Sequence, residues 1–273
     1  MHVIVLTKRK WVTILICFLI MIVAATLAIV YFCSDKDEAP AAPAMAVVES
    51  YELQTIPYTA KEVPVYRVNR DDNVLALTID AAWDADKTDF ILDTLDKYDA
   101  KATFFLCGVW VNAYPDKVKE IAARGHVIGN HSLTHPHMNR LTADQIKEEI
   151  VALDDTIESL TGSRCTPFRA PFGEYNDTVV KTVRELGYEI VQWDIDSIDW
   201  KENRSEETIL NTVLPKLKSG SIILSHNNGY HIETYLPKLL EKAKEQGYRF
   251  VTVPELLPDG EHHIDVNGVW QSN

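Results

Sequence analysis

From about Asn73 onward, short β-like runs alternate with amphipathic helical stretches, and this alternation limits the possible folds more than any other feature of the 273 residues. The runs are VLALTI, ATFFLC, HVIGN, PFRA, EIVQWDI, SIILS and RFVTV, which makes seven candidate strands. Helix starts are marked between them: Thr142 and Gln145 have capping-box spacing, and Ser205 precedes Glu206 and Glu207 in a dipole-favourable first turn. Gly125, Gly187, Gly220 and Gly247 stand where helices should end. Regular alternation of strand and helix implies a parallel sheet. Seven such units point to a (β/α) barrel or near-barrel of about seven parallel strands, with an open doubly wound sheet as the alternative.

Residues 11–33, WVTILICFLIMIVAATLAIVYFC, run for 23 positions without a charge, long enough to cross a bilayer. Lys8, Arg9 and Lys10 precede the run and Asp35, Asp37 and Glu38 follow it, which predicts a cytoplasmic N-terminus. The run exceeds the usual apolar core of a signal peptide and lacks a clean A-x-A site, so an uncleaved anchor is expected. The chain then divides into a basic cytoplasmic tail (1–10), a transmembrane signal anchor (11–33), a linker (34–63) with an Ala/Pro-rich stretch, a domain (64–258) and a C-terminal tail (259–273). This predicts a single-pass protein of the cell membrane with its domain outside the cell. Lys+Arg 27 against Asp+Glu 40 gives a net charge of -13, which argues against nucleic acid as a partner. Cys17 and Cys33 lie in the apolar run; Cys107 and Cys165 read as two buried thiols, with a bond between them left open.

Polar residues fall at the ends of the apolar runs: Asp80, His131, Arg169, Asp194 and Asp196, and His226. In a parallel barrel the C-terminal strand ends converge on one face, so these groups would meet in one solvent-reaching pocket. His131 and His135, four apart, would share one face of a helical turn, a spacing that suits a divalent metal but is weak alone. His137 reads as a surface or rim residue, and Trp83, Trp110, Trp193 and Trp200 as barrel core or wall, with Trp83 at the mouth.

These residues resemble the motifs of the NodB-homology polysaccharide deacetylases, carbohydrate esterase family 4, over about residues 64–258. The motifs appear in order as Thr78-Ile79-Asp80-Ala81, His131-Ser132-Leu133-Thr134-His135, Arg169-Ala170-Pro171-Phe172-Gly173, Asp196-Ser197-Ile198-Asp199-Trp200 and Leu224-Ser225-His226. The phrase KATFFLCG, residues 101–108, is also typical of the family. The resemblance implies a distorted (β/α) barrel that removes N-acetyl groups from amino sugars, in cell-wall glycan and most plausibly in peptidoglycan. It implies Asp80 as general base, oriented by Arg169, and His226 as general acid, kept charged by Asp199. It further implies Phe172 N–H, beside Pro171, as oxyanion donor, Trp200 and Leu224 as walls of the acetyl pocket, and a divalent metal such as zinc on His131 and His135.

One position departs from the pattern. Ala81 replaces the family's second aspartate, normally a metal ligand, and alanine has no donor. Asp84 is the nearest substitute. The stretch Asp80-Ala81-Ala82-Trp83 resembles a sporulation-associated subgroup in which a small or apolar residue stands there. The alternative to an enzyme is therefore a pseudoenzyme that keeps the glycan groove for binding.

Overall fold

The computed structural model describes residues 62–272. The basic tail, the anchor at residues 11–33 and nearly all of the linker lie outside the described residues. Among the described residues no helix is long and apolar enough to cross a membrane.

After a short strand β1 (Arg67–Val68), eight strands build one sheet: β2 (Val74–Ala81), β3 (Ala102–Leu106), β4 (Val127–Asn130), β5 (Pro167–Phe168), β6 (Glu189–Ile190), β7 (Ile195–Asp196), β8 (Ile222–His226) and β9 (Arg249–Phe250). The order is β6-β5-β4-β3-β2-β8-β7, every pair is parallel, and β9 pairs with the start of β2. Strands β6 and β7 stand at opposite edges, yet only Val191, Gln192, Trp193 and Asp194 separate them in the chain. Four residues reach at most about 18 Å, so the sheet must curl until its edges nearly meet. The N-terminal segment lies along that seam. Val65 N–H donates to Ile190 O at 2.9 Å, Gln192 N–H donates to Val65 O at 2.7 Å, and Val68 N–H donates to Gly220 O at 2.9 Å. The expected barrel-like parallel sheet is thus present, but the run EIVQWDI, taken above as one strand, is divided between the two edges and the count rises to eight.

Strand β2 shows what each face of the sheet does. Leu75, Leu77, Ile79 and Ala81 join an apolar cluster with the helix residues Ile91, Leu95, Ile150 and Leu239. The alternate residues Val74 and Ala76 join Val65, Phe105 and Ile222 in a second cluster, and Thr78 and Asp80 continue that row. A strand's period of two therefore gives an apolar outer face and an inner face that turns polar towards its C-terminal end.

The covering helices are α1 (Thr88–Lys97), α2 (Gly108–Ala113), α3 (Pro115–Ala123), α4 (Ala143–Thr161), α5 (Asp177–Glu185), α6 (Glu206–Val213), α7 (Ile232–Glu245) and the single turn α8 (Val253–Leu256). The expected capping box on α4 forms, and Ser205 caps α6 by accepting from Thr208 N–H at 3.2 Å. Helix α4 buries Ile146, Ile150, Leu153 and Ile157, a stripe at helical spacing. Gly125, Gly187 and Gly247 follow helices as expected; Gly220 instead ends the turn that leads into β8.

Beyond Pro258 the chain does not trail away as a tail. It forms a hairpin of β10 (His262–Ile264) and β11 (Val269–Ser272), and β11 pairs with β1. Trp270 joins the inner apolar cluster. Cys107 and Cys165 are buried and free.

Candidate active site

Asp80 sits at the inner C-terminal end of β2, and its strand partner in the sheet register is His226 on β8. Asp80 Oδ1 accepts from Arg169 Nη1 at 2.7 Å. Arg169, which follows β5, is wholly buried, and four of its five guanidinium N–H groups are engaged: it also donates to Thr78 Oγ1 at 2.8 Å, Gln192 O at 3.0 Å and Val191 O at 3.3 Å. Its planar face lies 4.1 Å from the Phe105 ring centroid. That approach needs Gly129 on β4, because a Cβ there would stand 2.5 Å from the Phe105 ring. Burial pushes the Asp80 carboxyl up, and the charges of Arg169 and His226 with the Arg169 hydrogen bond outweigh it, leaving Asp80 below the usual carboxylate range and ionised. Asp80 is only 7% exposed, so it is less solvent-reaching than expected.

His226 is built as a second ion pair. Its Nδ1 lies 2.7 Å from Asp199 Oδ1, while Asp199 Oδ2 accepts from His226 N–H at 3.0 Å and from Tyr235 Oη–H at 2.6 Å. Asp199 is fully buried, and Gly229 makes room for it: a Cβ on Gly229 would fall 2.3 Å from Asp199 Oδ2. Burial alone would lower the His226 pKa, but the hydrogen bond and charge of Asp199, with Asp80 and Asp196, raise it above the ordinary histidine value. The protonated form of His226 is thus favoured relative to a free imidazole, with Asp199 as its main stabilising partner.

His131 donates Nδ1–H to the Arg169 carbonyl at 2.8 Å, since a carbonyl can only accept; its Nε2 lone pair then faces Asp80 Oδ2, 3.7 Å away. The segment from His131 to His135 is not the helical turn expected. Ser132 and His135 have φ of 65° and 60°, and the loop is pinned by Asn130 Oδ1, which accepts from Ser132 N–H at 2.9 Å, and by Glu149, whose carboxylate accepts from Thr134 N–H at 2.8 Å and Oγ1–H at 2.7 Å. The two imidazoles still meet, with ring centroids 5.0 Å apart. Burial keeps both neutral, His135 with a pKa lowered to about 4. Neutral imidazoles suit a cation, yet among the described residues no three His, Cys, Asp or Glu side chains are placed to hold one. Position 81 offers a buried methyl group within the outer apolar cluster, and Asp84 does not complete the set. The donors present do not fit a site with three protein ligands.

The remaining expected residues are at the same end of the sheet. Phe172 has φ 59° in a turn after buried Pro171. The turn's own bonds are donated by Gly173 and Glu174 N–H rather than by Phe172 N–H. Leu224 lies two positions before His226 on the same strand face and is buried, while Trp200, next to Asp199, is exposed. Asp194 is not in the pocket. It precedes β7 and accepts from Ser221 Oγ–H at 3.0 Å and Ile222 N–H at 2.9 Å, at the far end of β8; Asp196 ends β7 instead.

A family model described as polysaccharide deacetylase matches residues 67–191. A peptidoglycan-N-acetylglucosamine deacetylase of Bacillus cereus is 37% identical over 211 residues, covering 76% of this chain and 96% of that protein. The chain belongs to the polysaccharide deacetylase family. These deacetylases are hydrolases of carbon–nitrogen amide bonds. A peptidoglycan-N-acetylmuramic acid deacetylase of Bacillus subtilis is 30% identical over 202 residues, 73% of this deacetylase chain and 77% of the relative. Among solved structures, a pseudoenzyme of carbohydrate esterase family 4 from Bacillus anthracis superimposes with TM-score 0.69 at 34% identity, covering 72% of this chain and 69% of the other. A mutant of that pseudoenzyme with restored enzymatic activity matches equally well, with TM-score 0.69 at 36% identity over 72% of each chain.

Several residues that shape this site carry no motif signal. Gln192 offers only a carbonyl, and Tyr235 and Gly229 sit in sequence contexts that read as helix and loop. Thr78 was within reach of pattern reasoning, because it shares an inner strand face with Asp80.

Proposed function

We propose that this chain is a membrane-anchored, extracellular N-deacetylase acting on the N-acetylated amino sugars of peptidoglycan. One juxtaposition carries the proposal: Asp80 and His226 are register partners on adjacent strands, the first ion-paired with Arg169 and the second with Asp199. An ionised carboxylate beside a protonated imidazole is the pair that amide hydrolysis needs.

Asp80 takes a proton from the attacking water, whose oxygen bonds to the acetyl carbon. The Phe172 N–H, which the turn's own hydrogen bonds leave unused, receives the developing oxyanion. His226 then gives its proton to the sugar nitrogen as the C–N bond breaks, releasing acetate and a free amine; Asp80 sheds the proton it took and His226 regains one by exchange with solvent, Asp199 stabilising the imidazolium once formed. Leu224 and Trp200 bound the acetyl group. Zinc supplies no step here, because the donor set stops at two imidazoles. The activities of the Bacillus relatives support peptidoglycan as substrate, and the uncharged residues 11–33 after a basic tail support the anchor.

The decisive assay is acetate release from peptidoglycan and from chitooligosaccharide, with and without divalent ions, by wild type, Asp80→Asn and His226→Ala. Loss of release in both variants is expected, and wild-type turnover in either would remove the mechanism. Protease applied to intact spheroplasts should remove the domain; digestion only after lysis would reverse the topology. The second reading, a glycan-binding pseudoenzyme, is favoured by Ala81 and by the Bacillus anthracis structural relative. Tight glycan binding by a wild type that releases no acetate would select it.

A further inference from the structure

We propose that Trp83 is a stacking platform that positions the pyranose ring of the substrate beside Asp80, a specificity role lying outside the five motifs. The inference rests on the reading of this pocket as a glycan deacetylase site. A single exposed aromatic ring is unremarkable on a protein surface. Trp83 differs in how it is held. Its ring is 57% exposed, yet the loop beneath is fixed by buried side chains from elsewhere in the fold. Asn227, at the end of β8, donates from Nδ2 to the carbonyls of Trp83 at 3.0 Å and Asp84 at 2.6 Å, and the buried indole N–H of Trp110 on α2 also donates to Asp84 O. Asp84 is held at φ 46° by this arrangement. Three hydrogen bonds from buried donors thus keep an apolar ring pointing out of the protein.

The ring also has neighbours that a binding surface would require. Trp83 meets His135 edge-on, with centroids 6.1 Å apart; His135 meets Phe172 at 4.6 Å; and Phe172 stacks on His137 at 4.6 Å with an interplanar angle of 21°. His137 is in turn tied to Glu174 at 2.8 Å. The result is a continuous row of rings that joins, through His135 and its 5.0 Å contact with His131, the histidine lying 3.7 Å from Asp80. Among the described residues, the Trp, Phe and Tyr side chains more than half exposed are Trp83 (57%), Phe172 (57%), Trp200 (53%) and Tyr230 (51%). All four lie on loops that follow C-terminal strand ends of the sheet. Chance scatter would place some of them at the opposite end or on the helices. A pyranose offers a flat face of C–H groups, which suits an aromatic plane, and its polar hydroxyls stay at the edges in water.

The test uses the full-length protein in detergent, with chitotetraose as probe. Binding is followed by calorimetry and acetate release by steady-state kinetics, for wild type, Trp83→Phe and Trp83→Ala. Stacking energies of this kind correspond to about a 10-fold weaker Kd in Trp83→Ala, with most of it recovered in Trp83→Phe. KM should rise by a similar factor while kcat changes much less, and the melting temperature should stay at the wild-type value because the ring is exposed. A merely structural role would lower the melting temperature and would not be rescued selectively in KM. If wild type binds chitotetraose and Trp83→Ala binds it within twofold, the platform is overturned. If wild type binds but releases no acetate, while Trp83→Ala still binds more weakly, the platform stands and the deacetylase reading falls. If wild type binds no glycan at all, both are overturned.

Discussion

The two sides of the pocket are built to different standards. On the side of β2, β5 and β8, each charged group has its partner: Asp80 has Arg169, His226 has Asp199, and both Arg169 and Asp199 are wholly buried with several further hydrogen bonds. On the side of β4, His131 and His135 are neutral, oriented and adjacent, but among the described residues no third donor joins them, and the end of β2 offers only the Ala81 methyl group. A buried ion pair is seldom a net source of stability, so the two complete pairs are better explained by proton transfer than by folding. The difference sets two complete ion pairs on one side of the pocket against two neutral imidazoles with no third donor, among the described residues, on the other.

The largest expected effect tests the complete side. Asp80→Asn and His226→Ala should each lower acetate release by about 10²- to 10⁴-fold. Their stabilities should differ. Asp80→Asn leaves the Arg169 guanidinium buried without a counter-ion, and removing one partner of a buried pair costs about 3–5 kcal/mol. His226→Ala also deprives Asp199 of its counter-ion, but the His226 side chain is 24% exposed, so this pair is less desolvated and the loss should be smaller. Denaturant titration checks both, and equal melting of the two variants would show that Arg169 finds another partner.

A smaller effect concerns pH. His226 has a raised folded pKa, so its protonated form, and the release of amine that depends on it, should fade as pH rises through that value. Asp199→Asn removes the leading raising influence, and the alkaline limb of kcat/KM should move to lower pH. The linked stability follows the same sign. The His226 contribution is complete below the unfolded histidine pKa of about 6.5 and is lost as pH climbs through the raised folded one. Melting temperature should therefore fall more steeply above pH 6.5 in wild type than in Asp199→Asn. Identical alkaline limbs would mean that a different group is the acid.

Much of this candidate site was legible in the sequence because its charged groups lie directly after apolar runs, where a parallel sheet must bring them together. Asp80, Arg169 and His226 needed nothing more than that rule and the motif order. The strand run EIVQWDI was misread because composition is local and closure is not. Val191, Gln192 and Trp193 look like any strand interior, and only the need to pass from one sheet edge to the other breaks the run. The same error carried Asp194 into the pocket, whereas it lies at the entry of β8. Tyr235 and Gly229 were invisible for a different reason: one is an apolar-face helix residue and the other a loop glycine until Asp199 is seen between them. The hairpin from His262 to Ser272 escaped notice because its strands are short and pair with β1, about 200 positions earlier.

The smallest expected change in rate, and the sharpest probe of the reduced side, is Ala81→Asp. The methyl group it replaces is buried beside Ile79 and Leu77 in the outer cluster, so the new carboxylate faces a choice. If it turns towards His131 and His135, it supplies the hard oxygen donor that two imidazoles lack, and zinc affinity measured by calorimetry should rise. Without metal it would be a second carboxylate close to Asp80, and like charges at that distance raise the pKa of one of the pair. The variant should then melt lower than wild type in chelator and recover on adding zinc, a difference read without any activity assay. If it stays in the apolar cluster, zinc affinity will equal that of wild type and the stability loss will persist in metal. The second outcome, with His131→Ala harmless to zinc binding in both backgrounds, would mean that the imidazole pair serves the substrate face alone and that the asymmetry between the two sides is complete.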